Sequence, residues 1–313
     1  MNRHITKFVV ALGIFMAGLL CLNKTEEASA INVKLRASPT SFDYTLNPGE
    51  TISGSFKIRN EGPTEIDYDV FAKPYYTESE KGGGLNVRYD IENDYTRIAS
   101  WVTFDKESGH IAPDDTAEIN FTIKVPTDVP GGGQYTALLI STDGKHSEQK
   151  KEGININETV SLGPIVYAKI NGHTRETGEI DKNEISGFLF NPPFTVNSIV
   201  KNTGNVHAKA TYVMRVFPLF GGESIFNNED NPDTVILLPG TTRYYELAWD
   251  ADHGAPSIGI YKVQSEIKIF DQVSKVEKTV IVCPMWVLIL IIVFVLAAVF
   301  WIIFRIRARK TGN

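Results

Sequence analysis

The chain has 313 residues, with 31 Lys and Arg against 37 Asp and Glu, a net charge of −6. An acidic surface repels phosphate polymers, which excludes nucleic acid as a ligand class. With only Cys21 and Cys283 present, no disulfide framework is available to hold the fold together.

Residues 1–30 carry the marks of a secretory signal peptide. Arg3 and Lys7 precede an apolar run over 8–22, and Ala28-Ser29-Ala30 supplies the small-residue cleavage pattern. The mature chain is then expected to begin near Ile31 and to retain Cys283 alone. An exported protein without disulfides rests on its own hydrophobic cores, which fits a bacterial surface better than an animal one. Residues 31–283 hold 24 basic and 35 acidic side chains, so the expected external part is more acidic than the whole.

Short runs of alternating apolar and polar residues, bounded by Gly, Pro, Asn and Asp, predict strands throughout this region. The first half offers 51–59 (TISGSFKIR), 67–72, 118–125 with Ile119, Phe121, Ile123 and Val125 on one side, 135–141 (YTALLIS) and 165–170. The run at 135–141 is apolar on both sides, the pattern of a strand buried on both faces. The stretch 75–100 does not fit this pattern: it is long, charged, tipped by Gly82-Gly83-Gly84 and rich in tyrosine. Loops of that length are usually functional or disordered. Tyr75, Tyr76, Tyr89 and Tyr95, with Arg88 and Arg97 as hydrogen-bond donors, are therefore the candidate ligand-binding residues. A second polar insert at 143–158 reads as a solvated hairpin arm.

The second half repeats the grammar in 194–201, 208–217, 242–249, 259–270 and 275–282. SGSFKIRNEG before IDYDVFAKP matches TVNSIVKNTG before KATYVMRVFP, an approximate internal repeat with the boundary in 172–183. Each half also places a Pro-led turn before a later strand, at Pro113 and at Pro239. After these comes 284–304, 21 residues without a charge, long enough to cross a bilayer. Trp286 and Trp301 lie near its ends, and Arg305, Arg307, Arg309 and Lys310 follow, an arrangement that keeps this end in the cytoplasm. The expected fold is all-β: immunoglobulin-like β-sandwich domains over 31–172 and 173–283, a transmembrane helix over 284–304 and a cytoplasmic basic tail over 305–313.

No catalytic signature is present, neither a zinc-protease, a nucleophile-elbow nor a phosphate-loop pattern, and the histidines have no ligand spacing. Asn227 to Asp233 gathers oxygen atoms, but its spacing matches no calcium loop. No cofactor, no metal and no enzymatic activity are expected.

The segments 57–74, 95–105 and especially 111–141 (IAPDDTAEINFTIKVPTDVPGGGQYTALLIS) carry a resemblance. With the leader, the two-domain plan and the span, the chain resembles the WxL-interacting proteins of Gram-positive bacterial surfaces. That resemblance implies peptidoglycan binding by the first domain and capture of a WxL-type surface protein by the membrane-proximal one. The function expected is a non-enzymatic, single-pass scaffold of the cell membrane. It would bind cell-wall glycan, a surface protein partner or both. The alternative is an adhesin or receptor-like module for a host or neighbouring cell.

Overall fold

A computed structural model describes residues 34–80, 84–142 and 160–310. The expected signal peptide, Gly82 and Gly83 at the glycine tip, the arm at 143–158 and the last three residues of the tail lie outside them.

In chain order the first half contains β1 (Leu35–Ser38), β2 (Ser41–Leu46), β3 (Thr51–Asn60), β4 (Ile66–Pro74), β5 (Tyr76–Ser79) and β6 (Leu85–Arg88). There follow β7 (Val102–Phe104), β8 (Ser108–Ile111), β9 (Thr116–Lys124), β10 (Gly132–Thr142), β11 (Val160–Leu162) and β12 (Ile165–Ile170). One sheet runs β1-β3-β9-β7 and the facing one β2-β12-β10-β4-β8, with β11 alongside β10 and β5–β6 a separate hairpin. The second half contains β13 (Gly178–Ile185), β14 (Phe188–Leu189), β15 (Phe194–Asn202), β16 (Ala208–Pro218) and β17 (Phe226–Asn227). It is completed by β18 (Asp233–Leu237), β19 (Thr242–Trp249), β20 (Gly259–Ile269) and β21 (Gln272–Val282). Its sheets run β13-β15-β19 and β14-β21-β20-β16-β17, with β18 on the edge of β16. Strand β13 occupies part of the polar stretch 172–183, so the unpaired connection between the halves is only 171–177.

Period-two alternation fills two separate cores. In the first, Ile119, Phe121, Ile123 and Val125 are all buried, as their spacing predicts. Gly54 on β3 lies opposite Phe121, and a Cβ there would come within 2.6 Å of the Phe121 ring. Phe42 meets the same ring edge-on at 5.3 Å. The second core is built around Phe194, Tyr212, Met214, Val263, Ile267 and Trp249.

The two halves share more than strand count. In each, the opening strand divides between the sheets. β1 pairs antiparallel with β3 and β2 parallel with β12; β13 pairs antiparallel with β15 and β14 parallel with β21. The repeat noted in the sequence is physically anchored by Asn60 and Asn202, both fully buried. Asn60 donates through Nδ2 to Thr64 O at 2.7 Å and Ile111 O at 3.1 Å, and accepts from Gly62 N–H at 2.9 Å. Asn202 repeats this with Val206 O at 2.8 Å, Leu237 O at 3.0 Å and Gly204 N–H at 2.9 Å.

The main chains of these asparagines then grip the Pro-led turns. Asn60 N–H donates to Asp115 O and accepts at its carbonyl from Asp114; Asn202 does the same with Thr241 and Gly240. Asp114 and Gly240, each the residue after the proline, have φ of 61° and 74°, the conformation that a type II turn demands.

Each asparagine satisfies two buried backbone groups, Gly62 N–H and Ile111 O for Asn60 and Gly204 N–H and Leu237 O for Asn202, and orphaning such groups costs about 1–3 kcal/mol apiece. Asn60→Ala and Asn202→Ala should each lower the unfolding free energy by about 2–4 kcal/mol in urea titrations. A loss under about 1 kcal/mol would show that water replaces the side chain. Phe121→Ala should cost about 3–5 kcal/mol, because the pocket around its ring is too well packed to collapse.

Candidate binding cleft between the two sandwiches

The cleft exists because β10 is apolar on both faces. Leu138 and Ile140 enter the first core, while Tyr135, Ala137 and Leu139 point outward into a third cluster. That cluster contains Tyr75 and Tyr167 from the first half and Leu238, from a Pro-led turn, from the second.

Polar contacts surround it. Gly133 N–H donates to Asn205 O at 2.7 Å, and Asn205 Nδ2 donates to His173 O at 3.0 Å. Lys209 Nζ meets Asp43 Oδ2 at 2.9 Å. His207 packs against Tyr167 and Tyr135, with centroids 5.4 and 5.7 Å away.

The 75–100 stretch, set apart in the sequence as a long tyrosine-rich insert, folds over this junction. It forms the β5–β6 hairpin and, after a turn, a short 3-10 helix, Arg97–Trp101. Tyr75 is 8% exposed and meets Tyr167 edge-on at 6.0 Å and Tyr89 at 6.3 Å. Tyr76 and Tyr95 are half-buried against the same cluster, and Tyr95 O accepts from Tyr135 N–H at 2.7 Å. Tyr89 alone of the four is exposed.

The two arginines are already engaged. Arg88 grips Asp90 through Nε and Nη2 at 2.9 and 2.8 Å, and Arg97 pairs with Asp94. Thus the tyrosines do gather, three of them largely as packing, and the cations expected to reach a ligand are held by neighbouring acids.

A cation without such a partner lies elsewhere. Between the hairpin and the second sandwich is a cleft of about 300 Å3, walled by Tyr75, Leu85 and Tyr167 on one side and Val235, Leu238 and Arg243 on the other. The Arg243 Nε and Nη1 atoms are buried, and no hydrogen-bond partner reaches them among the described residues. Asp233 on β18 accepts the Tyr245 hydroxyl at 2.8 Å. The Tyr212 hydroxyl is likewise buried; burial pushes the phenol up to about 12, against a smaller opposing effect from the Ser198 side chain and Arg243.

A signal for Arg243 was present in the sequence. It shares the side of β19 occupied by Tyr245, Leu247 and Trp249, the last two buried, and a cation at an inward position needs a reason.

Among the described residues no group of three His, Cys, Asp or Glu is arranged to hold a metal. In 227–233, Asn228 Oδ1 accepts from Met214 N–H at 2.8 Å and Glu229 pairs with Arg215 at 2.6 Å, so these oxygens already have partners.

His207 makes the junction sensitive to pH. Burial holds its imidazole below the usual histidine value, against an opposing pull from Asp43; Lys209 and Lys169 push further down. The folded chain therefore keeps His207 neutral in a range where the unfolded chain already binds a proton. Stability is fully present above about pH 6.5 and declines as the pH falls below it. Thermal unfolding at pH 7 and pH 5 should show a smaller drop for His207→Gln than for the parent chain; equal drops would remove His207 from the pH response.

No family model matches the chain, and no curated protein matches it. Solved structures with a similar arrangement include the class 5 fimbriae chaperone CfaA, with 13% identity over 78% of this chain and 99% of that one, at a TM-score of 0.36. The E. coli chaperone DraB has 10% identity over 79% and 96%, at 0.33. PapD-like domain 7 of human CEP192 has 13% identity over 47% and 92%, at 0.30. Superpositions this loose leave both fold and function to the chain's own geometry.

Proposed function

We propose that the protein is a non-enzymatic, membrane-anchored surface scaffold whose tandem sandwich domains bind a carboxylate-bearing ligand in the cleft between them. The observation that carries this is the half-buried guanidinium of Arg243, whose Nε and Nη1 are shielded and have no hydrogen-bond partner among the described residues, facing an aromatic and aliphatic wall. A buried charge without a counter-ion is expensive, and a planar fork of donors matches a carboxylate bidentately. Tyr75, Tyr167 and Leu85 on the opposite wall suit the apolar body or sugar ring of such a ligand. Peptides of the bacterial cell wall carry carboxylates, as does any protein partner. The resemblance of 57–74, 95–105 and 111–141 to WxL-interacting proteins favours these two ligand classes, glycan and WxL-type surface protein.

The anchor is helix α1 (Met285–Lys310), the one described helix long and apolar enough to cross a membrane. Its apolar stretch, Met285–Arg305, has a mean hydropathy of 3.4, and none of it is buried against the other described residues. A helix apolar on all sides is covered either by a protein core or by lipid, and the described residues supply no such core around it. Trp301 stacks beneath Arg305 at 5.2 Å, a pairing suited to the headgroup layer. With the tail cations inside, both sandwiches stand outside the cell.

The detergent-solubilised chain should be retained on insoluble peptidoglycan, and Arg243→Gln should reduce that retention while leaving the melting temperature equal or higher. Gln removes a charge that pairs with no acid among the described residues and keeps a polar end at the cleft, so the fold should not lose stability. Soluble peptides with a free C-terminal carboxylate should compete, and their amides should not. Unchanged retention of Arg243→Gln would take the ligand away from this cleft; absence of retention in the parent chain would take away the wall.

A further inference from the structure

The end of the second sandwich that meets α1 gathers a group of exposed apolar side chains. β14, β16, β20 and β21 bring three loops to it, spanning 186–193, 219–225 and 250–258. Their placement follows from pairing: Phe188 lies beside Ile281, Pro218 beside Tyr261 and Gly259 beside Val282. Cys283 N–H donates to Leu189 O at 2.9 Å, and α1 starts two residues later, at Met285.

Nearly all the exposed large apolar side chains of this half collect here. Phe188, Phe190, Phe220, Ile225, Ile258 and Ile281 are each more than 40% exposed, and Phe220, at the tip before Gly221 and Gly222, is 96% exposed. Val273, at the opposite end, is the exception. The three loops contain no Lys or Arg, while Glu223, Asp250 and Asp252 supply acids. Apart from Lys278, whose side chain lies beside Gly187, such a surface offers little to anionic headgroups but a wide apolar contact to acyl chains.

We propose that this collar is seated in the outer interfacial layer of the bilayer that α1 crosses, with Phe220 as its deepest wedge. The proposal rests on the reading of α1 as a membrane span. Its occupant follows from continuity, because the loops surround the point where the chain would enter lipid, and no other partner is guaranteed to be there. Aromatic rings favour this depth and bury several ångströms of apolar surface without spanning. Seating on a collar as well as a tether would fix the tilt of the second sandwich, and through the docked β10 face it would fix the height of the cleft.

The test uses the full chain with Cys21 and Cys283 replaced by Ser, reconstituted in phosphatidylcholine vesicles. A nitroxide is attached at Phe220→Cys, at Val273→Cys or at Leu290→Cys, and its accessibility to oxygen and to a water-soluble nickel chelate is read by electron paramagnetic resonance. The position 290 label reports on the span; the other two compare the ends of the sandwich. The collar predicts that labels at 220 and 290 favour oxygen and that the label at 273 favours nickel. A nickel-accessible 220 with a lipid-buried 290 overturns the collar and leaves the span intact. A nickel-accessible 290 overturns the span and the collar with it. Spin–spin broadening at 220, with both reagents excluded, would give the surface to a second copy and overturn lipid seating. Phe220 packs on nothing, so its replacement leaves the fold undisturbed.

Discussion

A strand that is apolar on both sides has to be covered on both sides, and β10 imposes this on the whole molecule. One face completes the first sandwich; the other would expose Tyr135, Ala137 and Leu139 if the second half were not docked against them. Burying such side chains stabilises by roughly 1.5–3 kcal/mol each, enough to hold two units joined by a short connection in one arrangement. The residue that completes the cover, Leu238, stands in a turn held by Asn202. The asparagine device that closes each sandwich thus also presents the contact between them.

That docking has a chemical consequence. Once the β5–β6 hairpin is pressed toward the second sandwich, with Tyr244 N–H donating to Ser79 Oγ at 3.2 Å, a cleft is enclosed beside Arg243. A surface arginine would be solvated and unremarkable, as Arg88 and Arg97 are in pairing locally with Asp90 and Asp94. Behind the hairpin, Nε and Nη1 of Arg243 are shielded from water, and no acid pairs with them among the described residues. A fold that keeps such a charge forgoes stability at that position, which is the usual mark of a site shaped for binding.

Much of the architecture was legible along the chain, for one physical reason: strand faces and turns are local. Alternation placed Ile119, Phe121, Ile123 and Val125 in the core, and the double-faced run at 135–141 became the strand buried on both sides. Asn60 and Asn202 stood at matching places in the repeat because the N-x-G turn and the Pro-led turn are each encoded within a few residues. The polar alternation of β13 was weaker, so 172–183 read as a connection although much of it is strand.

The site was not legible in the same way. The sequence alone determined that 75–100 departs from sandwich pattern, that its tyrosines are concentrated and that 284–304 is apolar on all sides. Only the tertiary structure decided that Tyr75 is largely buried in the wall of a cleft, that Arg88 and Arg97 pair with neighbouring acids and that Arg243, more than 140 residues further along, faces the same cleft. The reason is that side-chain availability is a difference between what surrounds a group and what it needs. For Arg243 those surroundings come from β5–β6, β12, β18 and β19, elements whose proximity no local pattern records.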